Sequence, residues 1–205
     1  MIKVTQADEP EHFDTQVRQP GLAYLEKHPE KAPYPYWKNC RDELYKAYHG
    51  YCAYTTFKIN SRLDAVVDHF LPKAHHAEQC YEWTNYRLSS FHINAVKKDS
   101  EEIADPFLLP ENAFRLEEDM KIEVNEEAFL SDSERELARR TITRLKLNEH
   151  ELVDDRTDMM NSVLKLLNEN ADDYSKAIVA KQLHAQSRFL YQEAVRLKYI
   201  TPVVL

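Results

Sequence analysis

The spacing of apolar residues changes along the chain, and each change predicts an element. Tyr36, Trp37, Cys40, Leu44, Ala47 and Tyr48 recur at intervals of 3 and 4, the period of a helix with one apolar face, and Gly50 follows as a stop signal. A stripe of this kind belongs to a core rather than to a ligand site. Tyr51 to Ile59 reads as a strand or knuckle. The β-branched pair Val66-Val67 places a strand over Asp64 to Leu71, which Pro72 ends because it lacks the backbone donor a ladder needs. Tyr86 to Ser90 reads as the returning strand and Phe91 to Asp99 as a short helix.

Upstream, Met1 to Gln6 alternates as a short strand would. Five prolines between Pro10 and Pro35 leave room only for loop and a short helix near Leu22 to Lys27. Downstream, Phe114 to Leu116 and Ile122 to Val124 read as the two strands of a hairpin joined by acidic turn residues. Ser133-x-x-Glu136 has the form of a capping box, opening a helix through Leu137, Ile142 and Leu145 that Asn148 stops. A second amphipathic helix carries Leu152, Arg156, Met159, Met160, Val163, Leu164 and Leu167, and a third runs from about Asp172 to Lys198. Three such helices need a shared core. The pattern as a whole predicts an α+β chain that closes on a helical C-terminal bundle.

Candidate chemistry concentrates between Leu63 and Asp99. Asp68-His69 ends the β-branched strand, Asn85 follows Trp83-Thr84, and Asn94 precedes Lys97-Lys98 on the short helix. Each piece alone has a plain structural reading: a surface turn, a turn asparagine, a solvated helix face. Together they give Asp-His, Asn and Asn in the order of a strand–loop–strand–helix unit, with Asn in place of the last His of an HNH nuclease. An imidazole with a pKa near 6.5 is suited to take a proton from water, which makes His69 the candidate general base. Asp68 and Asn94 offer hard oxygen donors suited to Mg²⁺ or Mn²⁺. Adjacent strand residues diverge, so Asp68 is expected to hold the metal while His69 aims at the water. Asn85 is expected to pin the loop so that His69 keeps its orientation. Lys73, Arg87, Lys97 and Lys98 are the expected phosphate contacts. His75-His76 lies in the loop with no third ligand at a fitting spacing and is expected to be solvated.

The motifs resemble the HNH subunits of retron and Septu-type anti-phage defence systems. The resemblance rests on Trp37, Cys52-Ala53-Tyr54, Asp68-His69-Phe70-Leu71-Pro72-Lys73, Trp83-Thr84-Asn85-Tyr86-Arg87-Leu88, Asn94-x-x-Lys97 and Asp105-Pro106-Phe107. A second block runs from Ala138 through Arg139-Arg140 and Arg144-Leu145-Lys146-Leu147-Asn148 to Leu152 and Arg156. It covers about Met1 to Arg156 and implies a ββα-metal (His-Me finger) nuclease unit over residues 1–110. Residues 111–205 would supply the hairpin and helical region, packed with it as one compact unit. It also implies a DNA substrate, or alternatively an RNA such as a tRNA, and an ABC- or SMC-like ATPase partner. A catalytically silent adaptor of that ATPase is the reading from another class. The chain departs from its relatives at the zinc knuckles: Cys52 is followed by Thr55, and Ser90 and Ile93 stand at the second pair. Four thiolates or imidazoles close a tetrahedral structural site, so no structural zinc is expected, and packing around Tyr51, Phe57 and Ile93 is expected instead. His92 beside Cys52 remains the lesser candidate for a stray metal.

Composition narrows this picture. Two glycines in 205 residues leave neither a Walker nor a dinucleotide-binding loop. Three scattered cysteines, no leader-like apolar segment and no apolar run of about 18 residues point to a cytoplasmic protein with reduced thiols and no membrane span. The net charge of −8 opposes free-standing affinity for a polyanion. Either a basic partner supplies that affinity or a local basic cleft does, since the field near a surface is local.

Overall fold

Two strands at the centre of the chain organise the fold. β1 (Ala65–His69) and β2 (Tyr86–Ser90) pair antiparallel with Asp68 opposite Arg87 and His69 opposite Tyr86. α3 (Phe91–Lys97) follows β2 directly, capped by the Ser90 hydroxyl, which accepts from the Ile93 amide. The computed structural model describes residues 1–169 and 172–204. Val67, Leu88 and Ile93 join the core between these elements. The sheet has only two strands, so β1 keeps one edge free of strand pairing.

The stripe from Tyr36 to Tyr48 folds as a 3-10 turn, Tyr36–Cys40, running into α2 (Arg41–Ala47). Leu44 and Cys40 face the core from it. The N-terminal segment forms no strand. Met1 is buried and Val4 donates a single backbone hydrogen bond to Pro106, because no neighbouring strand presents a ladder there. A π-helical turn, Asp14–Arg18, leads into α1 (Gln19–Lys27), earlier and longer than the proline spacing indicates. Gly21 lies under the Tyr81 ring, where a Cβ would come within 2.4 Å of it. Phe57 and Ile93 do pack on the core, whereas Tyr51 is half-buried beneath the Arg188 guanidinium. Cys52 is buried with its thiol 3.9 Å from the Ser89 hydroxyl, and His92 is exposed.

The second half of the chain packs on this unit. β3 (Phe114–Leu116) and β4 (Ile122–Val124) form the expected hairpin. The capping box lies two residues earlier than the sequence pattern places it: Ser131 and Glu134 close it, and α4 runs Asp132–Arg144. Ser133-x-x-Glu136 matches the same pattern but already lies within the first turns. Asn148 does more than stop the helix, since its carboxamide exchanges hydrogen bonds with both backbone groups of Ile122. α5 (His150–Glu169) carries Arg156 inward, where it donates to the Met120 and Leu147 carbonyls.

The long third helix expected from Asp172 to Lys198 is two helices, α6 (Asp173–Gln186) and α7 (Arg188–Arg196). Ser187 breaks them by adopting an extended conformation, bridging to Phe57 and capping α7 through its hydroxyl. Tertiary pairing overrides helical periodicity at this position. One hydrophobic cluster runs from Met1 to Ile200. The result is an α+β fold with two small antiparallel sheets. Among the described residues, no helix is long and apolar enough to cross a membrane.

Candidate functional site

Strand alternation sends Asp68 and His69 in different directions. Both nevertheless border one cavity of about 390 Å³, because it is lined by five consecutive residues, Ala65 to His69, along the edge that β1 does not share with β2. Asn94, Lys98 and Asp99 close it from the end of α3, and Trp37, Lys38 and Arg41 close it from the α2 side. Residues Asp68, His69 and Asn94 therefore all border one cavity.

His69 is held on its rear side. Its Nε2 lies 3.0 Å from the Cys80 carbonyl oxygen, and a carbonyl only accepts. The neutral ring therefore carries its proton on Nε2, leaving the Nδ1 lone pair available. The same carbonyl accepts from the Tyr86 hydroxyl at 2.8 Å, and the Trp37 and Tyr86 rings meet the imidazole edge-on with centroids 4.7 and 5.2 Å away. Burial, followed by the nearby Lys73 ammonium, pushes the His69 pKa down to about 3, so the ring is uncharged at neutral pH.

That depression carries a stability prediction. In the unfolded chain His69 takes up a proton below about 6.5, whereas in the fold it does so only near pH 3. Its contribution is complete above pH 6.5 and is lost as the pH falls toward 3. At about 1.36 kcal/mol per unit, the loss amounts to a few kcal/mol. The urea midpoint of the native chain should fall between pH 7 and pH 4.5, and His69→Gln should flatten that fall. Parallel pH dependences in the two proteins would refute it.

The Asp68 carboxylate turns toward α3 and is fully engaged. Tyr54 donates its hydroxyl to Oδ2 at 2.5 Å, and the Lys97 ammonium lies 3.2 Å from Oδ1. Lys97 also donates to the His69 carbonyl oxygen at 2.7 Å. All three side chains are buried. Desolvation raises the Asp68 pKa, against the opposing pull of Lys97. This places Lys97 away from the role expected of it: a cation with 0% side-chain exposure serves Asp68, not an external phosphate.

Arg87 is a second correction. Its guanidinium makes two hydrogen bonds to Asp105, at 2.9 and 2.6 Å, and lies 3.5 Å over the Phe107 ring. It also donates to the Thr84 and Tyr86 carbonyls, so with four of its five donors engaged and the side chain buried it fastens the 105–107 segment to the hairpin. Lys73 and Lys98, the other two expected phosphate contacts, are exposed and border the cavity.

Asn85 is buried and its carboxamide is committed to the loop. It accepts from the Leu71 amide at 2.7 Å and donates to the Leu71 and Gln79 carbonyls at 3.0 and 3.1 Å. Those contacts close the chain between the His69 strand and the Cys80 carbonyl that holds the imidazole. Asn85 therefore positions His69 rather than touching a ligand itself. Asn94 is half-buried, and its carboxamide makes no hydrogen bond among the described residues.

Asp68 and Asn94 both border the cavity, and their oxygens are of the kind that Mg²⁺ takes, with waters and substrate phosphate completing its shell, while both Asp68 oxygens are engaged by Tyr54 and Lys97. A divalent ion here must share Asp68 with the Lys97 ammonium. Among the described residues, no cluster of three or more His, Cys, Asp or Glu side chains is arranged to hold a metal. His75 and His76 converge on one oxygen of Glu101, at 2.9 and 3.1 Å, at the surface.

The residue pattern did not signal several of these groups. Tyr54 lies in the Cys52-Ala53-Tyr54 knuckle with no pattern to mark a role, and Lys38 and Arg41 belong to a segment whose spacing marks only an apolar face. The Cys80 carbonyl has no sequence signature at all. Compared with known proteins, the chain matches no protein-family model and no curated protein sequence.

Proposed function

We propose that this chain is a metal-dependent phosphodiesterase of the HNH type that cleaves nucleic acid, DNA in the first instance. The observation that carries the reading is the imidazole of His69. It is neutral, fixed through Nε2 to the Cys80 carbonyl and set in a cavity bordered by Asp68 and Asn94. Lys38, Arg41, Lys73 and Lys98 ring that cavity, a basic rim on a chain of net charge −8, and local field governs the approach of a polyanion.

In this reading the rim lysines and Arg41 draw the backbone in and hold the scissile phosphate. Burial is the larger cause of the lowered basicity of His69, and the incoming negative charge offsets the part that Lys73 adds, at the moment when Nδ1 takes a proton from the attacking water. Asn85 and the Cys80 carbonyl keep the ring from swinging during that transfer. Asp68 and Asn94 would hold Mg²⁺ or Mn²⁺, which supplies charge relief at the phosphate and the leaving oxygen. The likeness to retron and Septu-type HNH subunits extends the proposal to an anti-phage effector acting with an ABC- or SMC-like ATPase in the cytoplasm.

One observation favours a silent adaptor instead: both Asp68 oxygens already have partners inside the protein. Supercoiled plasmid and a tRNA-sized RNA, each incubated with the purified chain over a titration of Mg²⁺ and of Mn²⁺, separate the readings. The nuclease reading expects nicking or cleavage that rises with metal and stops with a chelator. Intact plasmid and RNA at every metal concentration, both alone and with a co-purifying ATPase, would leave the adaptor.

A further inference from the structure

A hollow larger than the His69 cavity lies outside that site. It is a groove of about 820 Å³ between the end of α3 and the outer face of α4, and Arg139, Arg140, Arg144 and Lys146 line it together with Lys98. Lys98 and Asp99 border both this groove and the His69 cavity, so the two hollows are neighbours that share a wall. Helical spacing explains the row: Arg140 and Arg144 lie four residues apart on one face, about 6 Å from step to step, with Glu136 one turn before them.

We propose that this groove seats the sugar-phosphate backbone of the nucleic acid where it leaves the His69 cavity, with Lys98 as the cation common to both. The proposal rests on the nuclease reading for the class of its ligand and adds where that ligand runs.

Two observations support it. Two of the groove cations, Arg139 and Arg140, are not locked into the fold, whereas Arg144 donates to the Ser100 hydroxyl at 3.1 Å and Lys146 pairs with Glu149. Arg139 pairs with Glu126 and Glu136, and Arg140 with Glu102 and Glu136, all with side chains roughly half exposed or more. Exposed pairs of this kind contribute little to stability, so phosphates can replace the carboxylates at small cost. The buried, doubly bonded Arg87 shows what a structural arginine looks like in this protein.

The second observation is the backbone of Lys98. Ser100 donates to the Lys97 carbonyl at 3.1 Å, closing a tight turn in which Lys98 has φ 51° and ψ −130°. That is the first central position of a type II′ turn, which glycine occupies with least strain. The chain places a lysine there, and its ammonium has no hydrogen-bond or ion-pair partner among the described residues. A strained conformation that presents an unpartnered cation where two cavities meet points to a ligand.

The test uses the full chain carrying His69→Ala, so that the probe survives, with a fluorescein-labelled 20-base-pair duplex read by anisotropy between 50 and 200 mM KCl. The His69→Ala protein should bind the duplex. Adding Arg139→Glu with Arg140→Glu should weaken binding at least tenfold, and each lost phosphate contact should reduce the slope of log K against log salt by about 0.9. Lys98→Gly should weaken binding while leaving the urea midpoint unchanged or raised, the opposite of what a structural lysine gives. Glu136→Gln, which removes a competing carboxylate, should tighten it.

Unchanged affinity and salt slope across these variants would overturn the proposal, as would binding of poly-glutamate with no binding of the duplex, which would assign the groove to an acidic protein segment. Cleavage is scored separately on chains with His69 intact. Groove-dependent binding without cleavage defeats the nuclease reading and spares the groove. Cleavage and binding indifferent to all the groove variants do the reverse.

Discussion

His69→Ala should lower metal-dependent cleavage by about 10²- to 10⁴-fold, the range a positioned general base contributes, while the chain stays folded at neutral pH. His69→Gln is the sharper variant. Its carboxamide can still donate to the Cys80 carbonyl and fill part of the space beside Trp37 and Tyr86, but it cannot take a proton. Cleavage should remain lost in both, with circular dichroism and the urea midpoint near pH 7 close to native for the Gln variant. Cleavage within threefold of native in either variant would remove His69 from the chemistry. Asn85→Asp provides the contrast, since a carboxylate cannot donate to the Leu71 and Gln79 carbonyls.

The second large effect is expected at Lys97. Lys97→Met keeps the length of the side chain but removes the ammonium 3.2 Å from Asp68, leaving Tyr54 as the carboxylate's close donor. Breaking a buried ion pair by removing one partner costs about 3–5 kcal/mol, mostly because a charge remains unpaired in a desolvated place. The sign with pH identifies the cause. Burial already raises the Asp68 pKa while Lys97 opposes it, so the variant raises it further. Its deficit is therefore largest at neutral pH and shrinks on acidification as the carboxyl group becomes neutral.

Metal supplies an independent readout in the same protein. If Asp68 can hold a divalent ion, millimolar Mg²⁺ should raise the urea midpoint of Lys97→Met more than that of the native chain, because the ion replaces the lost positive charge. The Asp68→Asn variant of Lys97→Met should lose both responses. A Lys97→Met protein as stable as native, or one indifferent to metal, would show that Asp68 neither needs its ammonium nor accepts a cation in its place.

These expectations depend on parts of the molecule that differ in how readily the sequence reveals them. The hairpin β1–β2, the helix that follows it and the small hairpin β3–β4 are written in local terms: β-branched pairs, Pro72 as a stop and short alternating runs. The order Asp68-His69, Asn85, Asn94 brings together an acid, a base and an amide because the strand–loop–strand–helix order forces proximity. The role of the Asn85 carboxamide follows from the same local order, since its partners Leu71 and Gln79 lie within 14 residues of it. Local signals mislead where they compete. Ser131 and Ser133 offer two equivalent caps, and Ser187 sits in a helical pattern that a bridge to Phe57 interrupts.

By itself, then, the sequence determined the α+β class, the central hairpin and the identity of the three groups that border the cavity, because each follows from neighbours within a few tens of residues. Tertiary structure alone decided what those groups touch. Arg87 and Lys97 read as surface cations until Asp105 and Asp68 reach them, and a long basic side chain turns inward only where a carboxylate awaits it. Likewise the basic row of α4 acquires a use only once packing lays it beside the end of α3. Periodicity fixes which face a residue occupies; which other face it meets depends on how distant segments share one core.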